Sequence, residues 1–211
     1  ISCNTILDIA ETEIELKKRW KYPYQWSRIQ NDEWDKLSRF IYSTSRVDEV
    51  LNKAQQIRPD NKDFLNYCLN RWYNFQSAYA VEYIFTSHPL LTKVENTRDR
   101  DKDFFINDIP FDHKTTFLPN GYGHTADFVT KRKFDLCSWL YQNQSKGSRY
   151  HLKNRLFVVL YNSKGEHWKL KAELSWMQVL ILDYLDNFDK TKLIPLDLND
   201  QIVYTDIMYA R

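Results

Sequence analysis

Two short runs of alternating apolar residues, separated by two residues that favour a tight turn, constrain the fold of this chain most. Phe104–Ile106 and Ile109–Phe117 are rich in aromatic and β-branched residues and follow the period of two that is typical of β-strands. Asn107 and Asp108 between them tolerate left-handed backbone better than most residues, so a two-residue hairpin turn is predicted. The turn fixes the pairing of the strands and therefore which side chains share a face of the sheet.

The predicted register places two carboxylates opposite each other. Counting outwards from the turn, Asp103 pairs with Asp112, and both share a face with Lys114. The core face carries Phe104, Ile106, Ile109 and Phe111. Like charges that oppose each other across a hairpin are destabilising. A proton or a cation between the carboxylates removes this cost, and Mg²⁺ is held in this way by one or two carboxylates. The hairpin therefore favours a metal site.

A second interpretation of the same residues needs no metal. Asp-x-Lys is a common triplet, and Asp101 is placed to pair across the hairpin with Lys114 as an ordinary surface salt bridge. The strand context, the opposed Asp103 and the apolar character of the other face shift the balance towards the metal site.

Asp103, the turn, and then Asp112-His113-Lys114 on the next strand resemble the signature of the PD-(D/E)XK nuclease superfamily. In that family the first acidic residue and the D/E-x-K triplet lie on adjacent strands of a small mixed sheet. Lys102 stands before Asp103, where the family often has proline. The resemblance implies Mg²⁺, for which Mn²⁺ can substitute, held by Asp103, Asp112 and the main-chain carbonyl of His113. It also implies that Lys114 orients the attacking water.

Glu82 is a further candidate for this site. It lies in a nearly all-apolar part of the helix predicted over about residues 62–86, where a carboxylate without a partner is costly to bury. In the resembling family an acidic residue from the helix before the hairpin often joins the metal site, which would give Glu82 a catalytic role. A salt bridge to Arg71 or Lys93 explains the residue equally well.

The order of the predicted elements resembles the αβββαβ core of the restriction-endonuclease fold over roughly residues 60–208. After the first helix and the hairpin come an inserted helix over 131–144, a strand over 155–162, a helix over 171–188 and a strand over 201–210. The strand over 155–162 is a continuous apolar run, which is typical of burial on both faces. We therefore predict an α/β (α+β) fold with a central mixed sheet flanked by helices. Residues 59–211 form this nuclease core, and residues 1–58 a helical extension.

Basic residues are concentrated between Phe128 and Arg155, a stretch in which Asp135 is the one acidic residue. Such an excess of positive charge is typical of a surface that faces phosphates, although a solvated helix and loop would also account for it. Under the nuclease hypothesis this segment approaches double-stranded DNA. The predicted DNA contacts are Lys131, Arg132, Lys133, Gln144, Lys146 and Arg149.

The segment WKYPYQW, residues 20–26, has aromatic residues at alternate positions, and Pro23 makes an extended conformation more favourable than a helix. Its basic neighbours suit it to stacking on nucleic-acid bases. Packing against the rest of the domain is the alternative, and the pattern favours it.

The composition fits a packed globular protein, with 43% hydrophobic and 16% aromatic residues. No apolar run in the sequence reaches the roughly 18–20 residues of a membrane helix, so no membrane partner is expected. The 3 cysteines match neither a zinc spacing nor a disulfide framework, which favours a reducing cytoplasm.

These features together predict a Mg²⁺-dependent, restriction-type DNA endonuclease that hydrolyses phosphodiester bonds with a metal-activated water. A homodimer is one assembly that such an activity allows. The competing hypothesis is a DNA-binding or assembly module that has the same fold and does not cleave. A metal-dependent cleavage assay separates the two.

Overall fold

A computed structural model of the chain describes residues 6–26, 32–94, 102–123, 126–143, 153–198 and 200–211. The chain forms two compact units. The first runs up to Tyr83 and includes Trp168–Trp176, and the second comprises Ile84–His167 and Met177–Arg211. The sequence suggested a boundary between residues 58 and 59, and the compact units divide further along, inside a helix.

The first unit is helical. Its helices are α1 (Ile9–Lys18), α2 (Glu33–Leu37), α3 (Val47–Ile57) and most of α4 (Lys62–Thr86). They bury apolar side chains that recur at helical spacing, and Leu16, Val50 and Trp72 are fully buried. The helix that the sequence predicted before the hairpin has the bounds of α4.

The aromatic segment that begins at Trp20 packs inside the first unit. Tyr24 stacks on Trp168 with 4.8 Å between the ring centroids. The fully buried Arg19 donates hydrogen bonds to the main-chain carbonyls of Tyr22 at 2.6 Å and Pro23 at 2.8 Å. Trp20 and Lys21 belong to a short 3-10 helix, Arg19–Lys21, so the extended conformation predicted for them is wrong, and the backbone is extended at Tyr22. Trp168 occupies one face of the Tyr24 ring, so the packing interpretation is confirmed for this residue.

Lys171 also belongs to the first unit, and its burial predicts how the stability of the protein depends on pH. Its Nζ donates to Oδ1 of Asn74 at 2.6 Å, and burial lowers the pKa of Lys171 to about 8. The unfolded chain keeps the ordinary lysine pKa of about 10.4 and binds more protons than the folded chain between these values. The free energy of unfolding is therefore expected to rise between about pH 8 and pH 10.4.

We expect Lys171→Met to remove this rise and to be about 1–2 kcal/mol more stable than the wild type at pH 7, because methionine carries no charge to desolvate. Urea unfolding of both proteins at several pH values measures the difference. Lys36→Met, at an exposed position of α2, controls for the loss of a lysine. A stability difference that stays constant with pH would contradict the prediction.

The second unit is built around a mixed sheet. Within the described residues the sheet has six strands in the order β1-β2-β3-β4-β6-β5. The strands are β1 (Leu91–Lys93), β2 (Phe104–Ile106), β3 (Ile109–Phe117), β4 (Arg155–Leu160), β5 (Ile194–Leu198) and β6 (Gln201–Ala210). β3, β4 and β6 are parallel to one another, whereas β2 and β5 run antiparallel to their neighbours. The predicted central mixed sheet is confirmed, and β1 and β5 add to the strands that the sequence predicted.

The hairpin of β2 and β3 has the predicted turn. Asn107 and Asp108 have φ values of 47° and 65°, which is the left-handed conformation that a tight two-residue turn requires. The register that follows from the turn is also the predicted one, with Phe104 paired to Phe111.

Helices cover both faces of this sheet. The remaining helices are α5 (Ala126–Lys131), α6 (Lys133–Asn143) and α7 (Leu174–Asp186). Val129 and Leu136, from α5 and α6, share a buried core with Phe157 of β4. On the opposite face Phe85, from the end of α4, packs on Phe104 with 5.0 Å between ring centroids. Every residue of β4 is buried, which confirms a strand covered on both sides.

Candidate functional site

β3 carries the acidic and basic residues of the Asp-x-Lys triplet. Asp112 and Lys114 are two positions apart on the strand, so their half-buried side chains point to the same face. In the parallel register with β4, Asp112 lies beside Arg155, and Lys114 lies beside Phe157. Phe157 belongs to the core that α6 shares, so this is the face that α6 covers.

Arg155 is the immediate partner of Asp112. Its Nε donates to Oδ2 of Asp112 at 2.5 Å, and only 9% of the Arg155 side chain and 23% of the Asp112 side chain are exposed. The guanidinium lies 5.9 Å from the ring centroids of both Tyr141 and Phe157. The sequence grouped Arg155 with a phosphate-facing basic run, whereas the structure buries it beside two aromatic rings and pairs it with Asp112.

Asp103 has a different partner. Its carboxylate accepts hydrogen bonds from the main-chain N–H of His113 and from Nδ1 of the same residue, each at 2.8 Å. An ionised carboxylate only accepts, so Nδ1 is the donor. The ring of His113 packs on Phe85 and Phe104, with centroid distances of 5.6 and 6.1 Å. Burial works to raise the pKa of Asp103, but the hydrogen bonds and charge of His113 and the charge of Arg155 outweigh it and hold this pKa below its ordinary value.

The prediction that Asp103 and Asp112 oppose each other on one face is wrong by one residue of register. The ladder between β2 and β3 ends at Phe104 and Phe111, and the N–H of Asp103 also donates to the carbonyl of Phe111, at 2.8 Å. Two residues of one strand therefore oppose one residue of the other, as in a β-bulge. As a result the Asp103 carboxylate bonds to His113, whose side chain shares the face of Phe111, while Asp112 points to the other face.

Lys114 lies near one positive charge, that of Arg155, and one negative charge, that of Asp112. Burial and the charge of Arg155 lower the pKa of Lys114, while the charge of Asp112 acts in the opposite direction. A lysine with a lowered pKa exchanges its proton closer to neutral pH, which is a property of groups that act as acids or bases. Asp101, the alternative salt-bridge partner of Lys114, lies outside the described residues.

The oxygen donors that the resemblance implies for Mg²⁺ are of the right chemical type. Asp103 and Asp112 are carboxylates with 29% and 23% of their side chains exposed, and the positive charge of Arg155 acts on both. Over the ranges that the structure describes, no group of three or more His, Cys, Asp or Glu side chains is placed to hold a metal ion. The donor type fits Mg²⁺, with the carbonyl of His113 as a further oxygen, but Asp103 bonds to His113 on one face of the sheet while Asp112 points to the other, so the two carboxylates do not converge as the register predicted.

Glu82 lies one turn before the end of α4, in the first unit, and its side chain is half-buried. Arg71 was one of the two salt-bridge partners that the sequence suggested for it. The Arg71 guanidinium instead donates to the main-chain carbonyl of Asp35 at 3.0 Å and to the hydroxyl of Tyr42 at 2.7 Å. The catalytic role of Glu82 stays a prediction.

The predicted DNA contacts divide into two sets. Lys131, at the end of α5, and Arg132 are exposed, whereas Lys133, at the start of α6, donates to the buried Asp206 at 2.9 Å. The other three lie outside the described residues: Gln144, Lys146 and Arg149.

A groove of about 590 Å³ lies at the start of α6 and is called the α6 groove below. It is lined by residues 131–135 and by Lys192, Ile194 and Asp206. An adjoining hollow of about 440 Å³ shares Arg132 and Phe134 with it. Lys192 and Asp206 were not predicted from the sequence, because they follow the end of the basic segment at Arg155 by 37 and 51 residues. Phe134 directly follows Lys131-Arg132-Lys133 in the sequence and was not among the predicted contacts.

No helix in the described parts of the chain combines the length and the apolar character that crossing a membrane requires. The chain matches no protein-family model, no curated protein and no solved structure. Its function therefore has to follow from the geometry and chemistry of its own residues.

Proposed function

We propose that this chain is a DNA endonuclease that hydrolyses phosphodiester bonds at the Asp112–Lys114 face of β3. One observation carries the proposal. A carboxylate and an ammonium group lie side by side, half-buried, on one face of a central strand, with the guanidinium of Arg155 next to them. Fixed charges of both signs at one point suit a site that holds a phosphate and positions a water molecule.

The order of the elements supports the proposal. α4, β1, β2, β3, α6 and β4 follow one another as helix, three strands, helix and strand, with the short α5 before α6. This is the αβββαβ order of the restriction-endonuclease fold that the sequence resembles. β1 supplies a strand that the sequence did not predict, so α6 takes the place of a core helix and is no longer an insertion. The assignment of this sheet to that fold is part of the proposal.

The residues of the site have distinct roles under this proposal. Lys114 holds a water molecule against the phosphate and stabilises the negative charge that develops on it. Its lowered pKa brings its proton transfer closer to neutral pH. Arg155 fixes the position of the Asp112 carboxylate. Asp112 and the main-chain carbonyl of His113 would hold Mg²⁺, which would supply a polarised phosphate and a water of lowered pKa, and Asp103 would join them only after leaving its contact with His113.

A second candidate function, a DNA-binding or assembly module that does not cleave, is favoured by one observation. Both carboxylates already have partners, Asp103 in His113 and Asp112 in Arg155. Carboxylates paired in this way are stable without a metal ion.

A cleavage screen on mixed plasmid and phage DNA separates the two functions. We expect the purified chain to cleave double-stranded DNA in Mg²⁺ or Mn²⁺ and not in EDTA, because the proposed chemistry needs the ion. Sequencing the ends maps the cuts. Cuts at matching positions in both strands indicate two centres, as a homodimer presents them, and cuts in one strand indicate one. DNA that is bound and left intact in both metals would refute the nuclease and favour the non-cleaving module.

A further inference from the structure

We propose that the α6 groove binds a single-stranded segment of nucleic acid, with one unpaired base stacked on Phe134 and the neighbouring phosphates on the basic side chains around it. The inference rests on the proposed function in one respect: the single strand is taken to be part of the DNA that is cleaved at the Asp112–Lys114 face of β3. Binding itself does not depend on cleavage.

Positive charge selects an anionic partner for the groove. Four cationic side chains line it, against two acidic ones. Both acidic side chains are paired, Asp206 with Lys133 at 2.9 Å and Asp135 with Arg132 at 3.7 Å. The lining therefore keeps an excess of positive charge, which is the electrostatic feature of a surface that binds phosphates.

Lys131 and Lys192 supply that excess. Lys131 is exposed at the end of α5. Lys192 has 76% of its side chain exposed and lies 3.9 Å from Asp189, a contact too long and too exposed to neutralise it. The two lysines come from separate segments of the chain and meet at this groove.

Phe134 selects an unpaired base. It is 55% exposed, whereas Leu136 and Leu140 of the same helix are fully buried. It also lines the adjoining hollow together with Trp139. An exposed ring among cations is a stacking platform, worth about 1–3 kcal/mol for each base. The bases of a duplex are covered by their neighbours and reach such a ring only when they leave the stack.

The sheet sets the distance from the groove to β3. Asp112, Arg155, Thr205 and Ile194 are successive partners across β3, β4, β6 and β5, and Ile194 lines the groove. Three steps of roughly 4.8 Å separate Asp112 from Ile194 by about 14 Å. One strand of DNA advances about 3.4 Å per nucleotide, so about four nucleotides span the distance from a phosphate at Asp112 to the part of the groove at Ile194.

Fluorescence anisotropy in EDTA, where the proposed cleavage does not occur, tests the groove. The probes are a labelled oligothymidylate of about 12 nucleotides, within the usual site sizes, and a duplex of the same length. We expect Phe134→Ala to weaken binding of the single strand about 5- to 150-fold and to leave binding of the duplex unchanged. Lys131→Gln combined with Lys192→Gln should reduce the slope of log affinity against log salt by about 0.7 for each lost phosphate contact.

Val179→Ala, at a residue 69% exposed on α7, and Lys164→Gln, at an exposed turn, are the matched controls. Equal affinity of the wild type and Phe134→Ala for the single strand would overturn the proposal. Competition by polyglutamate as strong as that by unlabelled single strand would also overturn it, because the groove would then bind polyanions in general. Phe134-dependent binding without cleavage in Mg²⁺ supports the groove and refutes the nuclease. Cleavage by a protein whose single-strand affinity does not depend on Phe134 refutes the groove alone.

Discussion

Lys114→Met is expected to cleave DNA about 10²- to 10³-fold more slowly than the wild type in Mg²⁺, with DNA binding retained. The substitution removes the ammonium group that stands next to Asp112 on β3 and keeps the length of the side chain. Loss of one fixed group that stabilises charge in the transition state has an effect of this size. Single-turnover cleavage at saturating DNA measures the rate without a contribution from binding.

The stability of the same variant separates a catalytic role from a structural one. Burial and the charge of Arg155 lower the pKa of Lys114, so the folded state disfavours the charged lysine at neutral pH. Lys114→Met is therefore expected to unfold at the same temperature as the wild type or at a higher one. Lys164→Met, at an exposed position of the same unit, controls for the change of residue type. Full cleavage by a folded Lys114→Met protein would remove Lys114 from the proposed site.

The hairpin was predictable from the sequence because its determinants are local. Asn107 and Asp108 adopt the left-handed conformation that their residue types tolerate, and the strands on either side then pair in one register. α4 and β6 likewise have the predicted bounds, since each is a long run with a single period. In these elements local preference and tertiary packing agree.

The two edge strands were not predictable in the same way. β1 has only three residues, too few for a period to be recognised. β5 contains Pro195, which a β-sheet tolerates in an edge strand. The sequence does not show which strand lies at the edge, so a proline in this short run argued against a strand. Both segments can be assigned as edge strands only when the central strands of the sheet are known.

The partners of the site residues depend on tertiary structure. Arg155 bonds to a carboxylate 43 positions earlier in the chain, through parallel pairing of β3 and β4. In the sequence it was one cation among several, because a count of charges does not distinguish a buried guanidinium from an exposed one. Asp103 bonds to His113 because Asp103 and Phe104 both oppose Phe111, as in a β-bulge. No residue type at these positions predicts the bulge.

Replacing Arg155 with alanine is expected to lower the free energy of unfolding by about 3–5 kcal/mol, the usual effect of removing one partner of a buried ion pair. Arg155 as a whole residue is 7% exposed, and its guanidinium lies 5.9 Å from the ring centroids of both Tyr141 and Phe157. Alanine leaves a cavity beside these rings and a half-buried carboxylate at Asp112 without its cation. Urea unfolding measures the loss of stability, provided that the slope of the free energy of unfolding against urea concentration is the same for both proteins.

Arg132→Ala is the matched control for this variant. Arg132 lies 3.7 Å from Asp135 with 65% of its side chain exposed, so its loss is expected to change stability by about 0.5 kcal/mol or less. Asp112→Asn and the double variant with Arg155→Ala complete a double-mutant cycle, in which we expect a coupling energy of about 1–3 kcal/mol. A coupling energy near zero would mean that Arg155 stabilises the fold through the aromatic rings alone. Asp112 would then lack the fixed cation that the proposed chemistry at β3 places beside it.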